Sequence, residues 1–131
     1  MYACIVYLVP VKPEDTIDFH VRYAWAGIAR LYGQLAASRG TTMAMGQALL
    51  NIEKGGTPST QLGPRMGMEK TSLSRLLNNL EAHGLIERRA DDADRRVVRV
   101  HLTAEGKKER DRARHAVRAF NQWMTDQLGP C

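Results

Sequence analysis

The sequence predicts a mainly α-helical fold with a small β-hairpin wing, that is, a winged helix-turn-helix. Three observations predict it. Leucines are spaced three and four residues apart within 73–80, and two strand-like segments flank an Asp- and Arg-rich loop at 90–97. Long apolar-striped segments lie on either side of this whole region. A chain of 131 residues is long enough for one domain with a hydrophobic core. We therefore predict one domain that is dimeric through its N- and C-terminal helices.

The predicted domain divides into four parts. Pro10 and Pro13 separate the opening part from the first helix. An extra strand, an arm that embraces a partner subunit and a misread upstream start all remain open for this part. The predicted parts are an N-terminal arm (1–14), two dimerisation helices (15–40 and 104–129) and a winged helix-turn-helix region (41–103), within one domain over 1–131.

The first predicted helix carries an apolar residue every three or four positions, which is the heptad pattern of a helix that packs along another. Asp15 or Thr16 can cap its start, and Gly40 can end it. The last helix, capped by Thr103, repeats apolar residues at a similar spacing. Two such helices carry more apolar surface than the core of so short a chain can cover. We therefore predict a homodimer, although the two helices could also pack only against each other. The predicted interface residues are Ile17, Val21, Ile28, Val117, Phe120 and Trp123.

Shorter helices are predicted between these two. One covers 43–54 and is closed by Gly55 and Gly56, and a second short helix leads into a tight turn at Gly67.

The helix between Gly67 and Gly84 has a single apolar face, because its leucines fall at positions i, i+3, i+4 and i+7. Five of its other side chains point away from the leucines and form a short, polar face with one Arg and no carboxylate among them. Arg can pair with guanine, Asn with adenine, and Ser or Thr with bases or phosphates. A solvated amphipathic helix is the alternative interpretation. The outward residues are Thr71, Ser74, Arg75, Asn78 and Asn79.

Two strands are predicted to form the wing. The first opens at Leu85 and Ile86, and in the second Val98, Val100 and Leu102 alternate with polar residues and should share a buried face.

The loop between the strands combines three aspartates with Arg95 and Arg96. Free carboxylates would repel phosphate, so we predict that Asp94 holds the guanidinium of Arg96 through a bidentate pair. An arginine fixed at a hairpin tip suits the narrow minor groove, where the potential is most negative. A surface hairpin with an ordinary ion pair is the alternative.

Positive charge is concentrated in the same region. The net charge is +5, with 14 Lys and Arg against 9 Asp and Glu between 65 and 118 and 5 of each elsewhere. This distribution favours a polyanion such as double-stranded DNA as the partner. A membrane partner is not expected, because no predicted helix joins a basic face to a large exposed apolar one and no apolar run approaches about 18 residues.

Three motifs follow one another towards the end of this region. They are Leu-Glu-x-x-Gly-Leu-Ile at 80–86, Asp-x-Arg at 94–96 and Leu-Thr-x-x-Gly at 102–106. Together they resemble the multiple-antibiotic-resistance regulator (MarR) family of bacterial transcription factors, and the resemblance extends from about residue 16 to 128. It implies a transcriptional regulator that binds a palindromic operator as a homodimer, usually represses, and is often released by a small molecule or by oxidation.

The resemblance also implies roles for individual residues. By position, Arg96 would enter the minor groove and Asp94 would orient the wing, with Arg95 beside them. We add Asn78 and Asn79 to the DNA-contacting set because of their outward position. The residues that the resemblance places at the major groove are Lys70, Thr71, Ser72, Ser74 and Arg75.

The resemblance also implies an effector site, which would lie between the dimerisation helices and the winged helix-turn-helix region. Methionines and aromatic residues there suit an adaptable apolar pocket, so we expect a small, flat aromatic ligand. Each residue could instead be an ordinary core or interface residue. The candidates are Phe19, His20, Tyr23, Trp25, Met43 and Met45.

We predict no catalytic residues, metal site or cofactor. The four histidines are scattered, and His83 is expected only to bond the last carbonyls of its helix. Cys4 and Cys131 leave a redox-responsive regulator as an alternative, although a mobile terminal thiol is the simpler interpretation.

The opening segment lacks the basic leader of a signal peptide, so a cytoplasmic location is expected. A winged-helix module that docks on protein and does not bind DNA is the competing function. The two differ in salt dependence, because only DNA binding should weaken steeply with salt.

Overall fold

The computed structural model describes residues 12–129. Cys4, Cys131 and most of the predicted N-terminal arm therefore lie outside the described residues, and so does the redox interpretation. The elements in chain order are a 3-10 helix (Pro13–Asp15), α1 (Ile17–Ala37), α2 (Met43–Asn51), β1 (Thr57–Pro58), α3 (Ser59–Met66), α4 (Lys70–Ala82), β2 (Ile86–Ala90), β3 (Val98–Leu102) and α5 (Ala104–Leu128).

Threonine side chains cap three of the helices. Thr16, Thr42 and Thr103 each accept a hydrogen bond from the backbone N–H three residues later, at 3.0–3.3 Å. The predicted caps Thr16 and Thr103 are confirmed. The predicted helix over 43–54 ends earlier, at Asn51, because Ile52 is extended and the N–H of Glu53 donates to the Thr57 hydroxyl.

The core lies in the winged-helix half of the chain. The four leucines of α4 pack inward as predicted, together with α2, α3 and the sheet. The central side chains of this core, all with almost no exposed surface, are Ala48, Leu49, Leu62, Leu80, Ile86 and Val100.

The sheet has three antiparallel strands in the order β1-β3-β2. β1 was not predicted, since it has only two residues and ends in Pro58, which is tolerated at an edge. The prediction that Val98 belongs to the buried face was wrong. Val98 pairs with Ala90 at the free end of the hairpin, beyond the core, and is 41% exposed.

The two long helices extend beyond this core. Of the 21 residues of α1, only Ala36 is buried, and the buried residues of α5 all lie in its first half. Tyr32 and Phe120 join the helices through an edge-on ring contact at 5.5 Å. An ion pair between Arg39 Nε and Glu109 Oε1, 2.8 Å apart, joins the turn after α1 to α5. Within residues 12–129, the outer apolar residues of both helices are therefore left uncovered.

Candidate nucleic-acid interface

The turn between α3 and α4 is fixed by glycines. Gly67 adopts a left-handed conformation (φ +62°), which ends α3 and lets the N–H of Met68 donate to the carbonyl of Gly63 at 2.9 Å. A side chain on Gly63 would press against the Met68 carbonyl. The start of α4 is thus held close to α3 in the helix-turn-helix arrangement.

The leucines of α4 face the core, so its polar side chains face solvent. Thr71, Arg75 and Asn78 follow one another at i, i+4 and i+7, on the side of α4 opposite the leucines. We call these three residues the outward row. All of the α4 residues proposed to contact DNA are exposed; they are Lys70, Thr71, Ser72, Ser74, Arg75, Asn78 and Asn79.

Arg88 of β2 connects the wing to α4. Its Nε and Nη2 atoms donate to Glu81 Oε2 at 3.0 and 2.6 Å, and Nη2 also donates to Asn78 Oδ1 at 2.5 Å. The sequence analysis missed this contact because Arg88 is ten residues away from Asn78. The spacing between helix and wing is therefore held by side chains as well as by the core.

A groove of about 920 Å³ lies between α4 and the wing. Lys70 and Ser74 line its helix side, while Arg89 and Val98 line its wing side. Arg89 is paired with Glu87 of its own strand, at 2.5 Å. The exposed Val98 therefore forms part of the wall of this groove.

Asp91 organises the turn of the wing. Its Oδ1 atom accepts from Arg99 Nε at 2.6 Å, and Oδ2 accepts from the backbone N–H groups of Ala93 and Asp94 at 3.1 Å. The Arg99 hydrogen bond, helped by the Asp94 and Ala93 N–H groups, holds the pKa of Asp91 below its usual range. Asp91 thus stays ionised at neutral pH and shapes the loop.

Asp94 and Arg96 interact less closely than predicted. A bidentate pair is absent from the described wing, because Asp94 Oδ1 alone accepts from both the Arg96 backbone N–H (3.1 Å) and Arg96 Nε (3.2 Å). The rest of the guanidinium has no partner among the described residues, and the Arg96 side chain is 92% exposed. Asp94 therefore fixes the backbone of the turn more firmly than it fixes the guanidinium of Arg96.

Arg99 also anchors the base of the wing. Its Nη1 atom donates to the Gly56 carbonyl at 3.0 Å, so one arginine joins the wing turn to the loop before β1. A side chain on Gly56 would collide with the ring of His101.

Comparison with known proteins agrees with this geometry. The sequence profile of the MarR family matches residues 40–97, from the turn after α1 to the turn of the wing. A solved probable transcriptional regulator from Pseudomonas aeruginosa is 28% identical, with a TM-score of 0.76 over 90% of this chain and 89% of that chain. Residues 40–97 of this chain are thus similar to the MarR family.

Two further solved structures have the same fold at lower identity. The MepR–DNA complex of Staphylococcus aureus is 22% identical, with a TM-score of 0.78 over 87% of this chain and 85% of that one. CouR of Rhodococcus jostii RHA1, bound to p-coumaroyl-CoA, is 22% identical, with a TM-score of 0.73 over 89% and 92%. A comparison with curated proteins gave no match.

A cavity of about 250 Å³ lies between α1, α2 and α5. Trp25, Tyr32, Met43 and Val117 supply much of its apolar wall, and burial raises the pKa of the Tyr32 phenol, which is therefore neutral at physiological pH. Arg39 and its partner Glu109 are also among the lining residues.

Only two of the six predicted effector residues, Trp25 and Met43, line this cavity. Met45 is 3% exposed and belongs to the core beneath α4, because it points to the opposite side of α2. The other three lie in the first turns of α1, before the cavity begins, where Phe19 packs against His20 and Tyr23 with ring centroids 5.5 and 4.5 Å apart.

The predicted dimer residues fall into two groups. Ile17, Val21 and Trp123 are exposed, whereas Ile28, Val117 and Phe120 are half-buried. The second group is partly covered within the chain, as the Tyr32–Phe120 contact illustrates.

The histidines lie on separate elements. His83 Nδ1 is 2.7 Å from the Asn79 carbonyl at the end of α4, as predicted. Within residues 12–129, no group of three His, Cys, Asp or Glu side chains is placed to hold a metal ion. None of the helices in that range has the length and apolar character needed to span a membrane.

Proposed function

We propose that this protein is a sequence-specific, DNA-binding transcriptional regulator. The main support is that the outward row of α4 and the guanidinium of Arg96 both project from the core into solvent. The leucines beneath α4 hold the helix in place. The shared fold with the MepR–DNA complex supports the same use of this surface. A DNA partner also supports a cytoplasmic site of action. No role in catalysis is assigned to any residue.

The proposed contacts divide between the two grooves. Arg75 and its neighbours on α4 read base edges and phosphates in the major groove. Arg96, with Arg95, enters the adjacent minor groove, where a narrow groove attracts guanidinium groups. Asp94 and Asp91 keep the wing turn in shape for that contact. One sugar-phosphate strand then passes through the groove between α4 and the wing.

The proposed active form is a homodimer on a palindromic operator. The exposed apolar residues Ile17 and Val21 of α1 and Trp123 of α5 would be covered by the partner chain. Two reading helices related by a two-fold axis match two half-sites one helical turn apart. We propose repression as the outcome, by occupation of the operator.

Replacing Arg75 with alanine should lower operator affinity by about 1–3 kcal/mol and relax the preference at one base position. Replacing Arg96 should instead weaken binding evenly across sequences and reduce the slope of log affinity against log salt by about one. Both are measured by selecting bound sequences from a random DNA pool and titrating the selected operator at several salt concentrations.

Arg22→Ala is the matched control, because Arg22 is an exposed arginine on α1 whose nearest carboxylate is Asp18, 3.7 Å away. This variant should keep both affinity and preference. Wild-type protein that enriches no sequence, with no salt-dependent binding, would instead support the protein-docking module.

We further propose that a small aromatic effector binds in the cavity beside Trp25 and weakens operator binding. The wall is mainly apolar with a few polar groups, as in most ligand sites. The binding of p-coumaroyl-CoA by CouR, which has the same fold, supports an aromatic ligand.

Salicylate is therefore expected to raise the operator dissociation constant. Trp25→Ala should weaken this effect about fivefold, or roughly 1 kcal/mol, because an aromatic contact is lost. Tyr23→Ala, an aromatic truncation on the same helix but outside the cavity, should leave it unchanged. A dissociation constant that is insensitive to salicylate and to related aromatic acids would contradict the proposal.

A further inference from the structure

The amide of Asn78 is already engaged on one side. Asn78 belongs to the outward row of α4, yet its Oδ1 atom accepts a hydrogen bond from Arg88 Nη2 at 2.5 Å. A guanidinium has only donors, so the amide must turn its oxygen towards Arg88. Its NH2 group therefore points away from Arg88 and remains available.

Arg88 does not depend on Asn78 for its own position. Glu81 Oε2 accepts from both Arg88 Nε and Nη2, at 3.0 and 2.6 Å, and this charged pair holds the guanidinium against α4. Asn78 and Glu81 are three residues apart on α4 and so lie side by side. Arg88 consequently fixes the orientation of the amide.

We propose that Arg88 is a positioning residue that makes Asn78 read the DNA chiefly through its N–H donors. The inference rests on the proposed function. An asparagine free on both sides pairs with adenine, because it accepts from N6 and donates to N7. With Oδ1 turned towards Arg88 and one of its two lone pairs taken by a charged donor, Asn78 presents its two N–H groups to the DNA in preference to its oxygen.

These two donors match guanine best, because its O6 and N7 atoms are adjacent acceptors in the major groove. Thymine presents one acceptor, O4, whereas adenine N6 and cytosine N4 would bring donors that have to share Asn78 Oδ1 with the charged Arg88. The pairing of Asn78 with adenine, expected from the sequence alone, is therefore replaced by a preference for guanine. Asn79 is exposed, and its side chain has no hydrogen-bond partner within residues 12–129.

Selection of bound sequences from a random DNA pool tests this assignment. The base position whose preference is lost in Asn78→Ala identifies the one that Asn78 contacts, and wild-type protein should prefer guanine there. Arg88→Met removes the donors and keeps an aliphatic stem, which frees Oδ1. At the same position, the adenine-to-guanine ratio should then rise at least about fivefold, the lower limit for one bidentate pair.

Two further variants separate this role from a general loss of charge or stability. The double variant Arg88→Met/Asn78→Ala should lose the gain in adenine, because the gain acts through the amide. Arg89→Met removes the same charge from the next position of β2, where the arginine pairs with Glu87, and should leave the ratio unchanged even if overall affinity falls.

An adenine preference of the wild-type protein at that position, or an unchanged ratio in a folded Arg88→Met variant, would overturn the inference. If Arg88→Met does not fold, the wild-type and Asn78→Ala profiles decide between guanine and adenine on their own. A chain that binds no DNA at any salt concentration would refute the proposed function instead, so the two failures are distinct.

Discussion

Replacing Gly106 with alanine is expected to destabilise the protein by about 3 kcal/mol, the upper end of the usual cost of overpacking. Gly106 lies in the first turn of α5, where a Cβ atom would sit well inside van der Waals contact with the Leu85 carbonyl oxygen. That carbonyl cannot easily move, because it accepts a hydrogen bond from the Thr103 N–H at 3.1 Å and is followed directly by β2. This close approach joins α5 to the winged helix-turn-helix region.

The sign of this effect opposes helix propensity, because alanine within a helix is normally favoured over glycine by up to about 1 kcal/mol. Gly27→Ala in α1 is the matched control. No atom lies within 4 Å of the position of its Cβ, so this substitution should be neutral or stabilising. Urea unfolding at one fixed protein concentration compares the two, since a dimer's stability depends on concentration. Equal stability of Gly106→Ala and wild type would contradict the packing argument.

The periodic spacing of apolar residues was sufficient to predict α4. The spacing of Leu73, Leu76, Leu77 and Leu80 defines the face that must be buried, and burial of that face leaves the polar side chains outward. The caps at Thr16 and Thr103 could be predicted from the sequence as well, because capping involves residues only three positions apart. These features depend on neighbours along the chain, so the sequence alone can specify them.

The internal contacts of the wing depend on strand register and were only partly predictable. Asp94 is only two residues from Arg96, which made it the natural candidate to hold the wing. In the folded hairpin, however, Asp91 meets Arg99 across the turn, eight residues away, and has the shorter ion pair. That pairing follows from the β2–β3 register, which no local pattern specifies.

The effector cavity illustrates a different limit. Composition identified aromatic residues and methionines near the right helices but could not determine which of them converge. Met43 and Met45 are two residues apart on α2, so they point to different sides of the helix, one to the cavity and the other to the core. Tyr32 was missed, because its role depends on how α1 crosses α5.

Val21→Glu is expected to separate the proposed dimer and to lower affinity for a full palindrome by about 10²–10⁴-fold, the advantage of joining two binding units. Val21 is 60% exposed within one chain, so a carboxylate there should not disturb the fold of the protomer. At a two-fold interface, the same substitution would bury two like charges without partners.

Ala26→Glu provides the control on the same helix. Ala26 is also exposed, and five residues place it roughly 140° around α1 from Val21, away from the heptad positions. Both variants change the net charge equally, so only contact with a partner chain should distinguish them. Light scattering would give the mass of each variant in solution, and titration would compare a full palindrome with a single half-site. Monomeric Val21→Glu should bind the two DNAs almost equally, whereas Ala26→Glu should keep the preference for the palindrome. If Val21→Glu retains the mass and the preference of the wild type, the partner chain does not cover this face of α1.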